Sequence, residues 1–227
     1  MQILAPGHQT RLESASMLNE ASIRQLLEPF GLNLASGQIS QMMTYLDLLL
    51  RWNARINLTA TRDPKVCITR HFGESLFLGR WAELKGSMLD IGSGAGFPGL
   101  CLKIVFPDLP VTLLEPVAKK RAFLKEATRQ CGMSSVEVRG ERLEDFARIQ
   151  PRPAFDAATA RAVGHLEDLI PLASRCLRPG GEIFLWISHQ QGTALTETHG
   201  DIRKVQTISL PSGFQGGIWR GRKTPSG

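Results

Sequence analysis

The segment Met88-Leu89-Asp90-Ile91-Gly92-Ser93-Gly94-Ala95-Gly96-Phe97-Pro98-Gly99 joins a short apolar run to glycines at alternate positions. A helix is expected to leave it at Gly99. Glycine takes backbone angles barred to other residues and lets a main chain approach another molecule closely. A strand that enters such a turn and continues as a helix is one unit of an alternating fold. The pattern repeats downstream: strands are expected over 88–91, 111–115, 136–138, 155–159 and 182–187, and helices over 99–106, 118–131, 143–147 and 165–177. Pro107-Asp108 and Pro179-Gly180-Gly181 mark junctions between them. This rhythm predicts an α/β fold, a mostly parallel twisted sheet with helices on both faces.

The first eighty residues read differently. From Gln38 to Trp52, Ile39, Met42, Met43, Leu46, Leu49 and Leu50 recur at three- and four-residue steps, the signature of one helix face. Ser36 is expected to cap that helix. A weaker helix over 15–28 should stop at Pro29. The expected organisation is therefore an N-terminal helical extension over 1–80 and a main domain over 81–227. After Gln190 a strand is expected over 205–210, whereas 213–227 is glycine-rich and basic and reads as loose.

Composition narrows the function classes. No stretch of the 227 residues approaches the length of a membrane span, and Met1 to Arg11 lacks the pattern of a signal peptide, so a cytoplasmic location without membrane attachment is expected. Cys67, Cys101, Cys131 and Cys176 are far apart with no local histidine, which argues against a disulfide framework and against a metal site. Lys plus Arg number 27 against 21 Asp plus Glu, a net charge of +6 that favours a polyanionic partner. Lys119, Lys120, Arg121, Lys125 and Arg129 crowd one predicted helix; a solvated face and a phosphate-binding face both fit them.

The glycine turn suits a nucleoside cofactor lying across the carboxyl ends of parallel strands. Glu115 should end the next strand, 21 residues after Gly94, where a carboxylate can accept hydrogen bonds from ribose hydroxyls. A dinucleotide site would carry Gly-x-Gly-x-x-Gly. Here the spacing is Gly92-x-Gly94-x-Gly96, preceded by Asp90, and this resembles the first motif of class I methyltransferases with their Rossmann-like fold. Arg178-Pro179-Gly180-Gly181 resembles that class as well.

Further segments resemble one family within it. These are Trp52-Asn53-Ala54-Arg55-Ile56-Asn57-Leu58-Thr59, Arg70-His71-Phe72-Gly73-Glu74-Ser75-Leu76, the Phe97-Pro98-Gly99 ending, Lys120-Arg121-Ala122-Phe123-Leu124, Arg142-Leu143-Glu144 and Thr159-Ala160-Arg161-Ala162-Val163. Together they are similar to the ribosomal RNA small-subunit methyltransferase G (GidB) family. The resemblance implies transfer of a methyl group from S-adenosyl-L-methionine to N7 of a guanine in 16S ribosomal RNA, by direct in-line attack. That nitrogen has an in-plane lone pair and needs no general base, so alignment and electrostatics carry the chemistry.

By matching position, the resemblance implies a cofactor set of Asp90, Gly92, Ser93, Gly94, Gly96, Phe97, Glu115, Leu143, Glu144 and Arg161. Arg161 is also expected at the reaction centre or facing the RNA. Arg70, His71, Lys119, Lys120, Arg121 and Lys125 are the expected RNA contacts; for His71 a structural role stands beside that one. Asn53 and Asn57 are expected to cap the helical extension or tie it to the main domain through backbone hydrogen bonds. The partner would be 16S ribosomal RNA or the small ribosomal subunit, bound by a monomer without metal. The chain departs from the family where a lysine would stand near Trp186-Ile187-Ser188 and an arginine near Gly216-Gly217. A methyltransferase with another substrate, a ribosome-binding factor of the same fold without turnover, and an NAD-dependent oxidoreductase remain alternatives at this point.

Overall fold

The computed structural model describes residues 18–150, 152–195, 197–211 and 216–225. Helix α1, Glu20–Leu27, begins at Asn19, whose side-chain oxygen accepts from the Ser22 amide at 2.9 Å while the Ser22 hydroxyl takes the Asn19 amide. It passes into a 3-10 turn, Glu28–Phe30, that Gly31 ends at φ 58°. Pro29 sits in the first positions of that turn, where its missing N–H leaves no bond unmade. The expected helix start at 15–17 lies outside the described residues.

Helix α2, Ser36–Asn53, is one residue longer than expected at its start. Ser36 is its first helical residue and not its cap; the Ala35 amide is satisfied by the Gln38 side chain, and the Ser36 hydroxyl binds Glu20 instead. Ile39, Met42, Leu46 and Leu49 are buried as the stripe implies, and Tyr45 and Leu48 join them. At its end Asn53 is 1% exposed and makes five hydrogen bonds: its amide donates to Thr59 O, Thr59 Oγ1 and Thr61 O, and its oxygen accepts from the Leu58 and Thr59 amides. A composite helical stretch follows, Pro64–Val66, a wide π turn at Cys67–Gly73, Glu74–Leu76 and a 3-10 turn at Phe77–Arg80.

The alternating part runs β1 Met88–Ile91, α3 Gly99–Val105, β2 Val111–Leu114, α4 Ala118–Gln130, β3 Val136–Arg139, α5 Leu143–Ile149, β4 Phe155–Arg161, α6 Leu166–Cys176, β5 Leu177–Ser188, α7 His189–Ala194, β6 Thr198–His199, β7 Ile202–Ser209 and β8 Gly216–Lys223. The sheet order is β3-β2-β1-β4-β5-β8-β7-β6, parallel through β5 and antiparallel beyond it. Strand order reverses between β1 and its neighbours β2 and β4, the crevice where such sheets bind ligands.

Alternation along the strands divides the interior into two layers. Phe184 and Trp186 face the layer shared with α1 to α4, while Ile183, Leu185 and Ile187 face the one shared with α5 and α6. Arg178 to Gly181 arch out of β5, because its pairing with β4 jumps from Leu177 to Glu182. The tail read as loose is corrected for 216–223: β8 lies between β5 and β7, Trp219 is fully buried, and Lys223 Nζ donates to the carbonyls of Ser174 and Leu177. Its glycines fit because the backbone there is crowded. A Cβ at Gly216 would strike the Ile187 carbonyl, and one at Gly217 the Ile208 carbonyl.

Candidate active site

The glycine turn sits at the carboxyl ends of β1 and β2. Gly92, Gly94 and Gly96 have φ of 68°, 57° and 89°, the left-handed region that favours glycine. Gly92 is exposed and Gly94 half-buried, so backbone is presented at the crevice. Space in front of Gly94 is open, since the nearest atom an added Cβ would meet is 3.8 Å away. Ser93 is buried beneath the turn: its amide donates to Leu114 O, its hydroxyl to Asp90 O, and its carbonyl accepts from Gly96 and Phe97.

Two carboxylates frame this backbone. Glu115, 4% exposed, accepts from the Gly94 amide and from the Val117 amide, each at 2.8 Å. Two bonds leave about half of a carboxylate's lone-pair sites for a further donor. Asp90 is fully buried; Oδ1 accepts from Thr159 Oγ1 at 2.8 Å, and Oδ2 rests against Gly99 without a hydrogen bond among the described residues. Burial pushes Asp90 up to about 6, with the Ser93 and Thr159 side chains and the Gly99 backbone pulling the other way.

Beside the turn the composite helix contributes a second cluster. Arg161, at the end of β4, donates to Glu74 Oε2 at 2.7 Å, to Ser75 Oγ, and to the carbonyls of Arg70 and His71. Glu74 is 0% exposed and also meets Arg70 Nε at 3.0 Å, while its carbonyl accepts from the Trp186 indole. The π turn between 67 and 73 brings the Arg70 and His71 carbonyls to the same guanidinium; such wide turns concentrate at functional sites. His71 stacks on Phe97 with ring centroids 5.1 Å apart, and its Nε2 is buried without a hydrogen-bond partner among the described residues. Burial, reinforced by Arg161 and Arg70, brings His71 down to about 4, so the imidazole is neutral near pH 7. Past Arg161, Ala162 and His165 hold φ of 55° and 51°, local strain of the kind found at ligand-binding loops.

The structure thus gathers Asp90, Gly92, Ser93, Gly94, Gly96, Phe97 and Glu115 at one crevice and brings Arg70, His71 and Arg161 together against it. Leu143 and Glu144 open α5, directly after β3; Leu143 is buried and Glu144 exposed. Of the basic run, Lys119 and Lys125 are exposed and Lys120 is half-buried. Arg121 is tied to the carbonyls of Glu115 and Pro116, and Arg129 pairs with Glu126. Sequence reasoning missed Glu74, Ser75 and Tyr45. Glu74 and Ser75 lie inside the Arg70 to Leu76 segment, but the residue they serve, Arg161, is 87 and 86 positions away, so no local spacing signals them.

A family model described as rRNA small subunit methyltransferase G matches residues 38–212. The chain belongs to this family. A member from Chloroflexus aggregans is 44% identical over 156 residues, which span 68% of this chain and 66% of that protein. One from Roseiflexus castenholzii is 43% identical over 191 residues, 80% and 82% of the two chains. Both carry the name ribosomal RNA small subunit methyltransferase G. Among solved structures, the fold is similar to the putative methyltransferase yhhF from Escherichia coli, with a TM-score of 0.55 at 16% identity over 67% of this chain and 86% of that one. It is also similar to TYW2 from P. horikoshii in complex with MeSAdo, with a TM-score of 0.50 at 14% identity over 67% and 61% of the chains. The fold is Rossmann-like, of the class I methyltransferase type.

The positions where the resemblance leads one to expect a lysine and an arginine are neighbours in space. Ile187 pairs with Gly217 and Ser188 with Gly216 across β5 and β8. Ile187 is 1% exposed in the core layer of α6.

Proposed function

We propose that this protein transfers a methyl group from S-adenosyl-L-methionine to N7 of a guanine in 16S ribosomal RNA, acting as a cytoplasmic monomer. The observation that carries this reading is the Glu115 carboxylate bonded to the Gly94 amide across the open glycine turn, with acceptor capacity to spare. Membership of the rRNA small subunit methyltransferase G family supports the RNA substrate.

The residues present fit the cofactor. Gly92 and Gly94 present bare backbone that allows close approach, and Glu115 can accept from ribose hydroxyls. When bound, S-adenosylmethionine supplies an electrophilic methyl group. We assign Asp90, Gly92, Ser93, Gly94, Gly96, Phe97 and Glu115 to holding it, with Leu143 and Glu144 at its adenine end. Arg161, fixed by Glu74 and Ser75, is assigned to the reaction centre. Guanine N7 presents its own lone pair, so the site has to orient the base and exclude water, not remove a proton. Arg70, His71, Lys119, Lys120 and Lys125 form the proposed RNA side, Arg121 joins that side to the cofactor site through the Glu115 and Pro116 carbonyls, and residues 1–80 are the extension that bears part of it.

The test is to incubate the purified protein with methyl-labelled S-adenosylmethionine and either naked 16S RNA or small subunits, then map the product by mass. One 7-methylguanosine in 16S RNA is expected. Label on another nucleotide, or on another substrate, overturns the assignment. The apolar Ile187 opposite Gly217 favours a second reading, a ribosome-binding factor without turnover. That reading requires RNA binding with no transfer at saturating cofactor.

A further inference from the structure

We infer that Tyr45 is the positioning residue of the glycine turn, holding Ala95 to Phe97 in place from a helix outside the sheet. This rests on the reading of the turn as the S-adenosylmethionine site. Tyr45 is 0% exposed on α2, and its hydroxyl donates to the Ala95 carbonyl, 50 residues along the chain. The ring stacks on Phe97 at 5.6 Å between centroids and 11° between planes, and meets Phe72 edge-on at 5.1 Å. A Cβ on Gly96 would collide with the phenol oxygen, so the turn's backbone lies directly on it.

Three left-handed glycines give the turn many alternative conformations, each of which a ligand would have to freeze out. Beside the bonds that the Ser93 carbonyl makes within the turn, two side chains from outside it remove that freedom beforehand. Glu115 takes the Gly94 N–H, and Tyr45 gives a proton to the carbonyl of the next residue. A ligand that meets an already ordered turn binds more tightly than one that must order it. Burial drives the phenol well above its ordinary range, so it remains a donor throughout the neutral pH range. A tyrosine serving the core alone would need its hydroxyl satisfied somewhere; this one is satisfied at the apex of the binding turn.

The chain holds a single tyrosine, so 3-fluorotyrosine incorporation places one fluorine probe at Tyr45. The fluorine resonance is expected to move on titration of the full-length protein with S-adenosylmethionine, saturating with the calorimetric affinity. Tyr45→Phe, which keeps the ring, should weaken cofactor affinity about five- to tenfold, the loss of one buried hydrogen bond. Its melting temperature should fall by about 2–8 °C, because the buried Ala95 carbonyl loses its donor, and its KM for RNA should not change. Met42→Leu, one turn earlier and equally buried, should leave cofactor affinity as it was. Wild-type binding with an unmoved fluorine signal, or with Tyr45→Phe binding equally well, overturns this inference alone. Absence of binding by the wild type overturns the reading of the turn and this inference with it. Should Tyr45→Phe fail to fold, the fluorine titration decides.

Discussion

Arg161 and Glu74 are 87 residues apart in sequence and 2.7 Å apart in space, with Glu74 wholly buried and the arginine side chain 15% exposed. A buried pair of this kind contributes little against an apolar replacement of both partners, but removing one leaves the other charged and alone. Glu74→Ala should therefore lower stability by about 3–5 kcal/mol in urea unfolding, and more than the Glu74→Met, Arg161→Leu double variant. Equal losses in the two proteins would show that the charges are not coupled.

Glu115 is expected to govern cofactor affinity with little effect on RNA. Glu115→Ala removes a charged acceptor and frees the Gly94 amide, so affinity should fall about 10- to 100-fold by calorimetry. RNA binding measured without cofactor should be unaltered; a change in RNA affinity alone would contradict the assignment.

Asp90 and His71 should oppose each other in acid. Burial raises Asp90 from 3.8 to about 6, so between these values the folded state holds a proton that the unfolded state has released, and stability falls as pH rises. Burial lowers His71 from 6.5 to about 4, so there the unfolded state holds the extra proton and stability rises with pH. Each slope is at most ~1.4 kcal/mol per pH unit, and in the wild type they offset. Asp90→Asn should expose the rising limb and His71→Asn the falling one, read from urea midpoints at pH 4.5 and 6. Parallel curves for both variants and the wild type would refute the pairing.

The basic helix α4 divides into two roles. Lys119→Ala and Lys125→Ala should weaken RNA binding and each reduce the salt slope by about 0.7–0.9, as expected when one phosphate fewer is neutralised. Arg121→Ala should act chiefly on the cofactor, because its guanidinium supports the Glu115 and Pro116 carbonyls. Filter binding across a salt series separates them.

The parallel half of the sheet was legible because several of its strands are short apolar runs bounded by glycine or proline, as at Met88 to Ile91 before Gly92 and Val111 to Leu114 between Pro110 and Pro116. The glycine turn and Glu115 were legible for a related reason: their chemistry is local to one strand-turn-helix unit and the strand beside it. β8 was not. Gly216, Gly217, Arg220, Gly221, Arg222 and Lys223 read as a loose basic tail, yet Gly216 and Gly217 answer to the Ile187 and Ile208 carbonyls on other strands, and Arg220 and Arg222 both bind Glu182. Tyr45 and Glu74 escaped for the same cause. Their partners, Ala95 and Arg161, are set by tertiary packing, and nothing in the spacing of α2 or of Arg70 to Leu76 announces them.

The π turn at Cys67–Gly73 accommodates one residue more per loop of backbone than an ordinary helix. Deleting one amino acid there would let the stretch rewind, and since each helical residue turns the chain by about 100°, Arg70 and His71 would swing away from Glu74. The segment should therefore tolerate no change of length, and across relatives insertions and deletions should be excluded from it.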